Sequence, residues 1–216
     1  MVTRTTLLAA ATVLLFTWQL PAQDRFLVGA TAGLSSTSFS GDVPDDGSYT
    51  SLMGFSAGVV GEYSLTPDIR LSVQPSYARR GTGVAFDVGE HDPRDSLELS
   101  LDYCSIPVMA RFLTPGGSWF VNGGLDLGFL LAASARDVNA GRTADVKDFI
   151  NSVDLMMLIG AGVAFPLDPA VLSFELRYSQ SLINAGSDEQ LQAAAGIPPR
   201  FRSSGFQLLA AVLFPL

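Results

Sequence analysis

Between Leu52 and Tyr63 the side chains alternate, with Met53, Phe55, Ala57, Val59 and Tyr63 on one face and Gly54, Ser56, Gly58 and Glu62 on the other. After Thr66-Pro67-Asp68 the pattern resumes, setting Ile69, Leu71, Val73, Pro75 and Tyr77 against Arg70, Ser72, Gln74 and Ser76. A period of two marks β-strands, whose successive side chains point to opposite faces. The make-up of the polar face narrows the fold further. A strand face turned to water carries Lys, Glu and Thr, yet Lys147 is the one lysine in the chain. Gly and Ser coat a surface poorly against water and line a narrow, crowded lumen well. The pattern predicts a barrel whose apolar face is turned outward to lipid.

Composition agrees. Only 16% of the residues are charged and 48% are hydrophobic, against roughly 25% charged in ordinary soluble domains. The net charge of −8 argues against nucleic acid as a partner. Cys104 is the only cysteine, which excludes an internal disulfide and a cysteine-based metal cage. Arg4, the apolar run Leu7 to Phe16 and Leu20-Pro21-Ala22 before Gln23 read as a secretory signal peptide over residues 1–22. Residues 23–216 then form one barrel domain. Past the signal, the longest apolar stretch, Leu155 to Leu167, is interrupted by glycines and falls short of the roughly 18–20 residues of a spanning helix. An exported, lysine-poor chain without such a helix crosses a membrane as a closed β-barrel, which satisfies its backbone groups between strands.

The alternation recurs about eight times, the smallest common size of an outer-membrane barrel. The first strand, from about Arg25 to Ser36, sets Phe26, Val28, Ala30 and Ala32 outward. The next two form the hairpin already described. The fourth, from Ser96, sets Leu97, Leu99, Leu101 and Tyr103 outward and Glu98, Ser100 and Asp102 inward. Its phase then slips, and Ile106, Val108, Ala110 and Phe112 continue the apolar set across a bulge expected near Ser105-Pro107. The fifth runs from Trp119 to about Leu131, with Leu125, Leu127 and Phe129 outward and Asn122, Gly124 and Asp126 inward. The sixth, about Val153 to Phe165, also carries Met156 and Leu158 on its inner face. The seventh sets Phe174, Leu176 and Tyr178 against Glu175, Arg177 and Ser179, and the eighth places Phe206, Leu208, Ala210, Val212 and Phe214 on one face.

The connections alternate between long (38–50, 80–95, 133–152, 183–202) and short (66–68, 114–118, 166–169). That is the layout of external loops and periplasmic turns, with both termini periplasmic. Aromatic belts set the depth: Tyr63, Phe112, Trp119, Phe165 and Phe214 toward the short turns, and Tyr77, Phe129 and Tyr178 toward the long loops. The expected fold is all-β, an eight-stranded antiparallel up-and-down transmembrane β-barrel.

The run from Leu101 through Tyr103, Ile106 and Pro107 to Phe112 resembles a strand of the outer-membrane β-barrel domain family of Bacteroidota-type bacteria, which includes PorT-like proteins. Val121-Asn122-Gly123-Gly124, Gly160-Ala161-Gly162-Val163 and Glu175-Leu176-Arg177-Tyr178-Ser179 fit the same family. The resemblance implies a small barrel without assigned chemistry, in some members a part of a larger envelope machine.

The inward charges are the first candidates for a site: Glu62, Arg70, Glu98, Asp102, Arg111, Asp126, Asp154, Glu175 and Arg177. Groups of mixed sign in so narrow a lumen either pair or are hydrated. They read as an ion-paired plug or, since acids outnumber bases among them, as a cation-preferring pore. His91 beside acids and Ser96 raises a lipid-modifying hydrolase as a more distant alternative. Asp42, Asp45 and Asp46 could hold calcium but lack EF-hand spacing, and turn chemistry explains them equally. Short stretches in 137–152 and 187–195 are compatible with a turn of helix. No catalytic residue, metal or cofactor is assigned. A secreted barrel with an apolar cavity is the competing fold, and it would need the Gly/Ser faces outside. The expected role is a non-enzymatic structural or accessory subunit of a cell-envelope complex in the outer membrane, with outer-membrane lipid and another envelope protein as partners.

Overall fold

The computed structural model describes residues 25–41, 47–86, 96–184 and 201–216. Ten strands follow in chain order: β1 (Phe26–Gly41), β2 (Gly47–Thr66), β3 (Ile69–Val73), β4 (Ser76–Phe86), β5 (Ser96–Leu113), β6 (Trp119–Asp137), β7 (Thr143–Asp145), β8 (Val153–Leu167), β9 (Ala170–Ser181) and β10 (Phe201–Pro215). Neighbours pair antiparallel, and β1 closes on β10 with Ala32 opposite Ala210. β3 and β4 share one place in the wall between β2 and β5, and β7 is a short addition beside β6. The result is a ring of 8 strands, an all-β antiparallel barrel closed by the pairing of β1 with β10. Both described ends of the chain lie with the short turns, termed here the turn end, and the opposite rim is the loop end.

The turns fall where the sequence places them, and the strands run further toward the loop end than the apolar alternation does. β4, for example, continues to Phe86, beyond the Arg80 at which the sequence reading opened a loop. β5 explains why. Its register runs unbroken from Ser105 opposite Gly128 to Leu113 opposite Phe120, so no bulge occurs near Pro107. The one irregularity along this pair lies at the level of Asp102 and Tyr103, where Leu131 on β6 is the extra residue.

Consequently β5 keeps one phase throughout. Leu99, Leu101 and Tyr103 are buried inside with Ser105, Met109 and Arg111. Glu98, Ser100, Asp102, Ile106, Val108 and Phe112 occupy the other face. The outward placement of Leu99, Leu101 and Tyr103, with Glu98 and Asp102 inside, is therefore corrected. What changes near Cys104 is the polarity of the two faces and not their direction. Toward the turn end the outside is apolar and the inside polar; toward the loop end the reverse holds. A strand leaving hydrocarbon for water requires that inversion, because each face must suit the medium it meets.

Pro107 fits inside β5 because its neighbour is interrupted there. Between β3 and β4, Gln74 still donates its backbone N–H to the Pro107 carbonyl at 2.9 Å, and the missing proline N–H falls at this interruption.

Three apolar clusters lie inside the ring. One, at the loop end, gathers Phe39, Leu99, Leu101, Tyr103 and Leu130 with Val146 and Ile150. Leu27, Val60 and Leu213 form a second at the turn end, and Met109, Met156 and Leu158 a third. The polar groups lie between and around these clusters.

This phase has a direct consequence for stability. Leu101→Ala should lower the unfolding free energy by about 2–5 kcal/mol through the cavity it leaves, whereas Ser100→Ala, one residue away on the outer face, should change it by no more than about 0.5 kcal/mol. Urea unfolding in lipid vesicles, followed by tryptophan fluorescence, measures both. A larger loss for Ser100→Ala would place Leu101 outside.

Candidate functional site: the filled lumen

Two layers of charged side chains cross the lumen. The layer nearer the turn end is assembled from β2, β3, β5 and β9. Cross-strand register sets Arg70 opposite Arg111, Arg111 opposite Asn122, Asn122 opposite Gly160 and Gly160 opposite Arg177. Two arginines directly opposed on one face repel, so carboxylates are required between them. Glu62 supplies one, pairing with Arg70 at 3.4 Å and also with Arg111. Glu175 supplies the other, reaching Arg111 Nη2 at 3.2 Å and Arg177 Nε at 2.6 Å. Arg177 also donates to Gln74 Oε1 at 2.8 Å, and Gln74 donates to Ser72 at 3.1 Å. The Arg111 guanidinium lies over the Phe120 ring, 4.0 Å from its centroid.

The second layer lies toward the loop end and turns on Arg80, whose side chain is 1% exposed. Its two terminal nitrogens reach Asp126 Oδ2 at 2.5 Å and Asp154 Oδ2 at 3.2 Å. Ser105 Oγ lies 2.7 Å from both Asp126 oxygens, and Ser181 donates to Asp154 at 2.5 Å. The Arg80 guanidinium sits 5.0 Å from the centre of the Tyr103 ring, under the apolar cluster of the loop end. Between the layers a cavity of about 10 Å³ is lined by Gln74, Ser76, Ser105, Asp126, Arg177 and Gln207, among others. That is room for about one water molecule.

Seven of the nine charges expected inside are there: Glu62, Arg70, Arg111, Asp126, Asp154, Glu175 and Arg177. Glu98 and Asp102 are on the outer face. Asp102 accepts two hydrogen bonds from Arg79, at 2.7 and 3.1 Å, in a pair whose side chains are 43% and 20% exposed. Glu98 stands opposite Arg136.

Arg80 is the member that the sequence reading missed. The signal was the even-numbered polar face Arg70, Ser72, Gln74 and Ser76, which reaches Arg80 two steps past Ser76. With Arg80 inside and Glu98 and Asp102 outside, the described ion-paired lumen holds four arginines and four carboxylates. The excess of acid behind a cation preference disappears.

The aromatics expected at the turn end, Tyr63, Phe112, Trp119, Phe165 and Phe214, lie close to the short turns. Phe26 joins them, its ring 4.7 Å from that of Tyr63. Of the group toward the loop end, Tyr77 packs on Phe55 at 5.4 Å and Tyr178 on Phe206 at 5.2 Å, and Phe129 is exposed on the outer wall. Residues 1–22, expected to be a signal peptide, His91, the cluster Asp42, Asp45 and Asp46, and the stretch 187–195 lie outside the described residues. The stretch 137–152 forms β7 and a single 3-10 turn, Lys147–Phe149.

Removing Arg80 alone leaves two buried carboxylates without their cation. Arg80→Met should cost about 3–5 kcal/mol, and adding Asp126→Asn and Asp154→Asn to it should restore at least half of the loss. Asp102→Asn on the outer wall should cost no more than about 1 kcal/mol. Equilibrium unfolding in vesicles ranks the variants, and equal losses for Arg80→Met and Asp102→Asn would contradict the assignment.

Comparison with known proteins adds the following. The outer membrane protein beta-barrel domain family matches residues 21–186. No curated protein sequence matches. Among solved structures, Neisserial surface protein A (NspA) is similar at 19% identity over 88% of this chain and 97% of that one, with a TM-score of 0.48. The attachment invasion locus protein Ail of Yersinia pestis is similar at 14% identity over 88% and 99%, with a TM-score of 0.44. The outer membrane protease OmpT from Escherichia coli shares 9% identity over 92% and 99%, with a TM-score of 0.42. With the family covering most of the chain, this protein belongs to the outer membrane protein β-barrel domain family.

Proposed function

We infer that this barrel is a non-enzymatic structural or accessory subunit of a cell-envelope complex. In this reading residues 1–22 are a cleaved signal, both termini and the short turns are periplasmic, and the long connections face outward. Tyr63, Phe112, Trp119, Phe165 and Phe214 form the periplasmic aromatic belt, and Tyr77, Phe129 and Tyr178 the outer one. The observation that carries the reading is the use of the lumen. Arginines from β3, β4, β5 and β9 are bonded to carboxylates from β2, β6, β8 and β9. An apolar cluster covers them on the loop side. The interior serves to hold the wall together, which leaves the outer wall and the loops as the surfaces that meet a partner.

Kinship with PorT-like barrels of Bacteroidota-type bacteria gives the Tyr103 to Arg111 run a physical role. Its odd-numbered residues Tyr103, Ser105, Met109 and Arg111 all enter the lumen, two of them bonded directly to carboxylates.

Purification of the tagged protein from its native outer membrane in mild detergent should bring down an envelope protein in stoichiometric amount. The purified barrel alone should show no step conductance in a planar lipid bilayer. A barrel that purifies without a companion and passes cations in discrete steps would overturn the reading.

A further inference from the structure

The charges of the lumen balance as a whole but not layer by layer. Toward the turn end three arginines, Arg70, Arg111 and Arg177, face two glutamates, Glu62 and Glu175. Toward the loop end Arg80 alone faces two aspartates, Asp126 and Asp154. One layer therefore carries a positive charge in excess and the other a negative one. The positive excess has an outlet to water, because the Arg70 side chain is 23% exposed. The negative excess has none. Arg80, Asp126 and Asp154 are all buried, with the apolar cluster of the loop end above them. A buried charge without a counter-charge is unfavourable.

The cavity between the layers lies against this excess. Asp126 lines it together with Thr31, Ser56, Ser76, Ser105 and Gln207, so that six strands each turn an oxygen-bearing side chain toward one small space. Gln207 carries the most information. It is only 8% exposed, yet its side-chain amide opens onto the cavity and makes no hydrogen bond with a described residue. The hydroxyls of Ser56 and Ser76 make none either. Thr31 gives its proton to the Ala210 carbonyl at 3.3 Å, and Ser105 gives its own to Asp126 at 2.7 Å, so both keep oxygen lone pairs for another partner. A side-chain amide this deeply buried ordinarily finds a partner. Arg177, the one cation on the lining, is held by Glu175 at 2.6 Å.

We propose that this cavity binds one small monovalent cation, such as sodium, between Asp126 and the amide oxygen of Gln207. The charge fits, since a single positive ion cancels the excess of the loop-end layer, whereas a divalent one would overshoot it. The donors fit, since a hard cation takes carboxylate, amide and hydroxyl oxygens. The size fits, since about 10 Å³ holds one water-sized occupant and nothing larger. The ion is enclosed as the strands close around it, so its binding adds to the stability of the folded barrel.

The test compares equilibrium unfolding of the protein in phosphatidylcholine vesicles in sodium chloride and in choline chloride at equal ionic strength, choline being too large for the cavity. The folding constant should be about tenfold higher in sodium, the gain expected where sodium stands at about ten times its dissociation constant. Gln207→Leu removes the amide and leaves every charge in place, and in that variant the two salts should agree within about twofold. Equal constants for the unaltered protein would overturn the proposal, because a proton or a water would then fill the role. A full sodium effect that survives Gln207→Leu would overturn it too, by placing the ion elsewhere. Should Gln207→Leu fail to fold, Ser76→Ala, which removes another of the oxygens, takes its place. The experiment involves no partner protein, so its failure would leave the accessory-subunit reading standing.

Discussion

The medium outside the wall changes partway along each strand, and the rest of the structure follows from that. In hydrocarbon, an outward side chain gains nothing from polarity and an inward one has no bulk water to meet, so the inside collects the polar groups. Past the hydrocarbon the outer face meets water and the ordinary rule returns. β5 shows both regimes without a change of register, from Phe112 outside and Arg111 inside at one end to Glu98 outside and Leu99 inside at the other. The competing arrangement considered from the sequence, a barrel with an apolar interior, is in effect the upper storey of this one.

Gathering charge inside so small a ring is a demanding solution. Burying an unpaired charge costs several kcal/mol, and here each arginine of the lumen has a carboxylate partner, with serine hydroxyls closing the remaining valences of Asp126 and Asp154. The bonds of two of these arginines tie strands that are not neighbours: Arg80 on β4 reaches β6 and β8, and Arg111 on β5 reaches β2 and β9. They therefore brace the ring across its diameter, which ladder hydrogen bonds cannot do. Such cross-braces account for a lumen that holds the wall and leaves about one water's volume between its layers.

Much of this was legible in the sequence for a simple reason. Period two is a local property, so the faces of β2, β9 and β10 and the three short turns followed from side-chain order alone. The phase of β5 did not, because a leucine on one face says only that the face is apolar, not whether lipid or an interior lies beyond it. Reading Leu97, Leu99 and Leu101 as lipid-facing required a bulge that the register does not contain. Arg80 was lost for the same reason: the strand was ended where its outer face ceased to be apolar, although the inner face kept its phase. The burial of Val146 and Ile150 rests on contact with β1, β5 and β6, far away in the chain, and no local pattern announces it.

The central claim is that β5 keeps one phase while its surroundings change. Nitroxide spin labels placed singly at positions 98 through 112 in vesicles, in a Cys104→Ser background except at 104 itself, test it most directly. Even-numbered positions should be accessible to a polar nickel complex from 98 to 102 and to dissolved oxygen from 106 to 112, with the crossover at 104. Odd-numbered positions should be shielded from both. A switch of the accessible set from odd to even near 105 would restore the phase slip and contradict the account.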